Sequence, residues 1–146
     1  MAAINTTAAA NAVVSLLQSL SGMGDVQIGA PASVGTTVSA WVTMGSAQDE
    51  IRATGTTVRR QRLLVMFVYR IPTAGETTAE TSLMALVDAF FAAVNADKTL
   101  GGVVDRAEVN SLAADEPDYA MRAGLEYREY PVVVSVTQQG TYEVNP

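Results

Sequence analysis

Apolar residues recur along this chain with two periods, and the periods set the elements. Between residues 5 and 21, Val13, Leu16, Leu17 and Leu20 recur at helical spacing and form one stripe. Asn5 or Thr6 is placed to cap this helix and Gly22 to end it. Val26 and Ile28 alternate with polar neighbours, which predicts a short strand over 25–28. Residues 29–37, GAPASVGTT, form a loop punctuated by Gly29, Pro31 and Gly35. A strand follows over 38–44. Residues 63–71 form the strongest strand, with Leu63, Val65 and Phe67 on one face and Leu64, Met66 and Val68 on the other. Apolar character on both faces predicts a central strand covered on both sides, and Pro72 stops it.

Between these two strands the pattern fails. Residues 45–62 are rich in Gly, Thr, Gln and charge, with only Ile51 and Val58 as sizeable aliphatics. Strand links in domains of this size close in about 2–6 residues. The expectation is a polar β-arm over 44–62, its tip near 53–55, reaching beyond the chain's own core.

A second helix is predicted over 78–97. Thr77 and Glu80 stand at the spacing of a capping box. Leu83, Leu86, Val87, Phe90, Phe91 and Val94 form its core stripe. Ala85, Ala89, Ala92 and Ala96 form a small-residue stripe, which permits close approach of another element or simply raises helix propensity. After Gly101 and Gly102 come a strand over 103–112, a turn over 115–118, and a long strand or strand pair over 119–137. Tyr130, Val132, Val134 and Val136 share one face. Pro131 lacks an amide donor, so it implies an edge position or a bulge. Residues 138–146 read as a loose tail. The fold expected over 1–146 is one α+β domain: a mixed, mostly antiparallel sheet with both helices packed on one face and a long polar β-arm.

At 146 residues and 49% hydrophobic the chain can bury a proper core, while its 16% charged content is lean. A thin charge coat leaves surface for neighbours to cover. Charge is segregated. Before residue 76 the chain carries five Arg against three acids; from there on, three Arg and Lys98 face twelve acids, which gives the net −6. An acidic chain is not expected to grip nucleic acid in general, since phosphate contact needs clustered Lys and Arg. No segment reaches the roughly 20 apolar residues of a membrane span. The N-terminus shows no basic region followed by an apolar core, so a cytoplasmic origin is expected.

The chain has no Cys and no His, which removes disulfides, thiolate and imidazole chemistry, and ordinary zinc sites. Gly22, Gly24 and Gly29 superficially suggest a phosphate loop, but a helix precedes them and a strand follows, the reverse of what that loop needs. The acidic groups Asp49–Glu50 and Asp115–Glu116 with Asp118 lie in predicted turns or the arm, where solvated charge is the default, and the calcium-loop pattern is absent. The serines have no histidine to activate them. No catalytic, cofactor or metal residue is expected, and the chain is read as a non-enzyme. Arg52, Arg59, Arg60 and Arg62, beside Asp49 and Glu50, make a different case. Arginine pairs with carboxylates in bidentate fashion, so these six residues are the candidate subunit interface, with the acid-rich second half of a neighbouring copy as partner.

The order of these segments resembles the tail terminator, or tail-completion, proteins of long-tailed bacteriophages and related tail-like particles. The resemblance runs over roughly residues 5–138: the first helix, a strand ending SAWVTMGS, the polar excursion, RRQRLLVMFVYRIP, the helix ETSLMALVDAFFAAVNAD and the closing LEYREYPVVVSVTQ. None is a sharp signature; order and spacing carry the match. The resemblance implies a structural protein of the virion tail: a homo-hexameric ring that caps the tail tube at its head-proximal end, stops its growth, and meets the tail-tube protein below and a head–tail connector or stopper above. It implies a passage through which DNA moves without tight binding, and no membrane or cofactor. A net-negative lumen would repel phosphate; Asp49, Glu50, Asp115, Glu116 and Asp118 are the candidate acids for it. Alternative readings are a tail-tube subunit or other neck protein, or an oligomeric small-molecule-binding or catalytic α+β domain.

Overall fold

The computed structural model describes residues 3–31, 37–52, 55–71, 76–112, 118–122 and 124–142. In chain order the elements are β1 (Ala3–Ile4), α1 (Thr6–Gln18), β2 (Val26–Ile28), β3 (Ser39–Ile51), β4 (Thr57–Arg70), α2 (Glu76–Ala96), β5 (Arg106–Ser111), β6 (Asp118–Arg122) and β7 (Leu125–Tyr142). They make one α+β domain. Seven strands form the sheet, in the order β1-β7-β4-β3-β2, with β5 and β6 also pairing with β7. The β1–β7 and β2–β3 pairs are parallel and all others antiparallel, so the sheet is mixed and mostly antiparallel.

Both helices lie on one face of the sheet. Val13 and Leu17 of α1 and Leu83, Leu86, Val87, Phe90 and Val94 of α2 share a buried core with Val42, Leu63, Val65, Phe67, Val132, Val134 and Val136. Phe67 and Phe90 meet edge to face, ring centroids 5.8 Å apart, a favoured aromatic geometry. Asn5 caps α1, its side chain accepting from the Ala8 amide at 3.0 Å. α2 starts at Glu76, and Ala85, Ala89, Ala92 and Ala96 all face outward, as does Asp88. The Thr77 side chain lies outside what is described. Glu80 is engaged with the sheet, accepting from the Tyr69 hydroxyl at 2.6 Å. Past α2, the Asp97 carboxylate accepts from the Thr99 hydroxyl and the Gly101 amide, which lower its pKa. This turn includes Leu100 at φ 51, an uncommon conformation for a residue with a Cβ.

The opposite face is only partly covered. Trp41, Val68 and Tyr127 form a small second core there, flanked by Met66 and Leu125. Leu64 and Met66 are half-buried rather than buried. The apolar run of β4 thus reflects a central strand whose helix-free face is apolar at one end only.

Two expectations change. Residues 138–142, expected as a loose tail, continue β7. Gln138, Gln139 and Gly140 pair with Arg59, Val58 and Thr57, and Thr141 and Tyr142 pair with β1. A polar sequence holds strand here because both neighbours satisfy its backbone, and the Gln138 amide also donates to the Asn5 carbonyl at 3.2 Å. Residues 143–146 lie outside the described residues. The long arm is present, but β7 accompanies β4 along its whole length, so three strands build it rather than two. Pro131 sits inside the sheet opposite Met66. Its carbonyl accepts from the Leu112 amide at 3.0 Å, so its missing donor faces the same side. On that side β5 pairing stops at Val132 and β6 pairing at Glu129. The proline thus occupies a break between two short strands, which costs the ladder nothing.

Candidate assembly surface

The arm begins at a bulge. β3 pairs with β4 through Met44–Leu63, then resumes at Ala47–Gln61, leaving Gly45 and Ser46 opposite Arg62 alone. Two residues facing one is the mark of a β-bulge. The carbonyls freed there meet Gln61, whose side-chain amide donates to Gly45 O at 2.8 Å and Arg62 O at 2.9 Å, with Ser46 O at 3.4 Å. Gln61 is 1% exposed. A Cβ on Gly45 would come within 3.1 Å of Arg62 O, so glycine permits the close approach.

Beyond the bulge, alternation places the charged residues. Gln61 and Leu63 face the helices, so Arg60 and Arg62 face the helix-free side. Arg59 faces the helix side and forms a bidentate pair with Asp49, Nε–Oδ1 2.8 Å and Nη2–Oδ2 3.0 Å, and it reaches Thr6 of α1 at 3.5 Å. Glu50 and Arg60 approach to 3.7 Å on the other face. Arg52 stands exposed at the tip, where Thr56 O accepts from its backbone amide at 2.8 Å. Among the described residues Arg62 makes no ion pair. The six candidate interface residues therefore divide. Asp49 and Arg59 satisfy each other within the chain, while Glu50, Arg60 and Arg62 share the open face. Asp115 and Glu116 lie outside the described residues. Asp118 opens β6 opposite Glu129, and its side chain is not described. Asp49→Asn is expected to cost about 0.5–1 kcal/mol, as partly exposed pairs do, with no change in oligomeric state. Urea denaturation with sizing chromatography checks both, and a change in oligomeric state would place Asp49 in the interface.

Register builds a groove from this open face. Gln48, Arg60, Thr137 and Arg106 lie in one row across β3, β4, β7 and β5; Arg62, Ser135 and Glu108 lie in the next. The small side chains of Ser135 and Thr137 form the floor. Arg60 and Arg62 rise on one side, Arg106 and Glu108 on the other. The walls stand two strand spacings apart, about 10 Å. The groove encloses about 840 Å³. Arg106 and Glu108 pair at 2.7 Å, but both are more than half exposed. Sequence reading missed Arg106, Ser135 and Thr137. Their polar alternation with Ala107, Val134 and Val136 marked them as outward-facing, but only β5–β7–β4 pairing joins them to Arg60 and Arg62.

Among the described residues no three acidic side chains are gathered to hold a metal, and no helix is long and apolar enough to cross a membrane. No protein-family profile matches the chain, and no curated protein matches its sequence. Its whole length does superpose, with a TM-score of 0.53 and 8% identity, on the sheath/tube terminator of an extracellular contractile injection system, PVC, solved by cryo-electron microscopy in the extended state. The chain has a tail-terminator-like fold. It spans 62% of the length of that terminator.

Proposed function

We propose that this chain is a structural terminator of a tail-like tube: a ring of identical subunits that caps the head-proximal end, ends tube growth, and joins the tail to a head connector or stopper around an open DNA passage. The observation that carries the reading is the likeness of fold over the entire chain to a sheath/tube terminator. That neighbour is a sheath/tube terminator, so a tube protein is the first partner, and a sheath protein a further one if the particle is contractile. The setting is a virion tail or a related particle, and a bacteriophage tail is the setting the segment order favours. In this reading the chain has no turnover of its own, and a hexamer is the ring size.

The reading also bears on the lumen. Asp49 is held in a bidentate pair with Arg59, so a repelling lumen would draw on Glu50 and the other acids of the chain.

The test is direct. Purified chain examined by negative-stain microscopy and native mass spectrometry is expected to give discrete closed rings. Added to polymerising tube subunits at substoichiometric amounts, it is expected to halt elongation at one end. Filaments of the chain itself would overturn the reading in favour of a tube subunit, and a robust hydrolytic turnover lost on replacing one carboxylate would move it to the enzymes.

A further inference from the structure

The groove on the helix-free face is a surface feature that the fold itself does not use. We infer that it is a socket for a second copy of this chain, whose acid-rich second half supplies the carboxylates that its arginines take. The inference rests on the ring reading above and gives that ring a specific contact.

Four observations carry it. The groove is basic in a chain of net −6: three of its lining residues are Arg60, Arg62 and Arg106, against one acid, Glu108. Its internal pairs are exchangeable. Arg60–Glu50 and Arg106–Glu108 are more than half exposed on both sides, and such pairs contribute little, so carboxylates from a partner that excludes water can replace them. The groove also borders an open edge. β2 stops opposite Val42, and no described strand flanks the outer side of β3 along Ser46, Ala47 and Gln48, which form one end of the groove. Unpaired edges of that length are normally covered.

The fourth observation is charge segregation. Residues 76–146 carry twelve acids against four basic residues, while residues 1–75 carry five Arg against three acids. One copy thus carries a basic trough on β4–β7–β5 and an excess of acids in its second half. Closed rings need two such different, complementary patches. The net negative charge opposes the dense charge of a nucleic-acid backbone, which is why a protein partner is favoured over DNA.

The test compares wild-type chain with the double variant Arg60→Glu/Arg62→Glu. Both residues are exposed, so circular dichroism and thermal unfolding should stay native. Wild-type rings are expected to weaken as salt rises from about 0.05 to about 0.5 M, as screened ion pairs do, and the variant is expected to be monomeric where the wild type is assembled. Arginine modification with phenylglyoxal gives a second readout on wild type alone. Arg60, Arg62 and Arg106 should be protected in rings and reactive in monomers, which decides the matter even if the variant misfolds. Equal reactivity in both states, or variant rings as stable as wild type, would overturn the socket while leaving the terminator reading intact. Wild-type chain that forms no rings would overturn both. Binding of a labelled DNA duplex that the variant loses, with its rings intact, would assign the groove to nucleic acid and overturn the socket.

Discussion

Gln61→Leu is expected to destabilise the chain by about 2–4 kcal/mol, roughly 5–15 °C in melting temperature for a domain of this size. The cause is local. The amide of Gln61 is the donor for Gly45 O and Arg62 O at the bulge, and the site is 1% exposed, so water cannot replace it. Leucine fits the volume and the surrounding core, so packing alone would make the change mild. The loss comes from bulge carbonyls left without their side-chain donor. Gln61→Glu is expected to be worse, because a carboxylate, itself an acceptor, would face three carbonyl oxygens. Urea unfolding of both variants checks the order. A leucine variant within about 0.5 kcal/mol of wild type, the ordinary range for surface changes, would mean that the bulge carbonyls find other donors. The substitution also tests function. If the bulge aims the arm, a folded Gln61→Leu protein should assemble less well than its residual stability implies.

The fold was largely legible because its signals are local. Helix periodicity placed α1 and α2 within a few residues, and the two-faced apolar run of 63–71 identified the central strand. The misses arise where the partner is remote. Residues 138–142 carry no apolar alternation strong enough to announce a strand; they are strand because β4 and β1 supply ladder partners from far along the chain. Gln61 looked like one more polar residue of an arm, and its burial depends on the bulge and on the helix-side face it occupies. The candidate interface was half legible. The cluster of arginines was visible, and strand alternation alone puts Arg59 on one face and Arg60 and Arg62 on the other; that Asp49 takes Arg59 shows only in the register. Arg106 joins them only through β5–β7 pairing, which no spacing in the sequence encodes.

The second large effect concerns the cluster that ties α2 to the sheet. Glu80 accepts from the Tyr69 hydroxyl at 2.6 Å and meets Arg128 at 3.5 Å. Arg128, whose side chain is 9% exposed, also donates to the Glu129 carbonyl and lies 5.8 Å from the Tyr130 ring centroid. Glu80→Ala is expected to cost about 2–3 kcal/mol, below the roughly 3–5 kcal/mol for breaking a fully buried pair, because Glu80 is itself 31% exposed. It strips the counter-charge from a buried guanidinium and the acceptor from a buried phenol together. Glu80→Gln keeps an acceptor for Tyr69 and should cost less. Arg128→Met combined with Glu80→Gln should cost less than the two single changes added, since neither charge is then left alone; simple additivity would show that the pair is not coupled. The same cluster sets an alkaline limit. Burial first, and then the hydrogen bond to Glu80, raise the pKa of Tyr69 well above its ordinary value near 10. A group whose pKa is raised in the folded state stabilises below its unfolded pKa and loses that contribution as pH rises beyond it. Stability should therefore fall as pH climbs above about 10, and Tyr69→Phe should flatten that fall while lowering stability at neutral pH through the lost hydrogen bond. An alkaline slope unchanged in Tyr69→Phe would place the titrating group elsewhere in the chain.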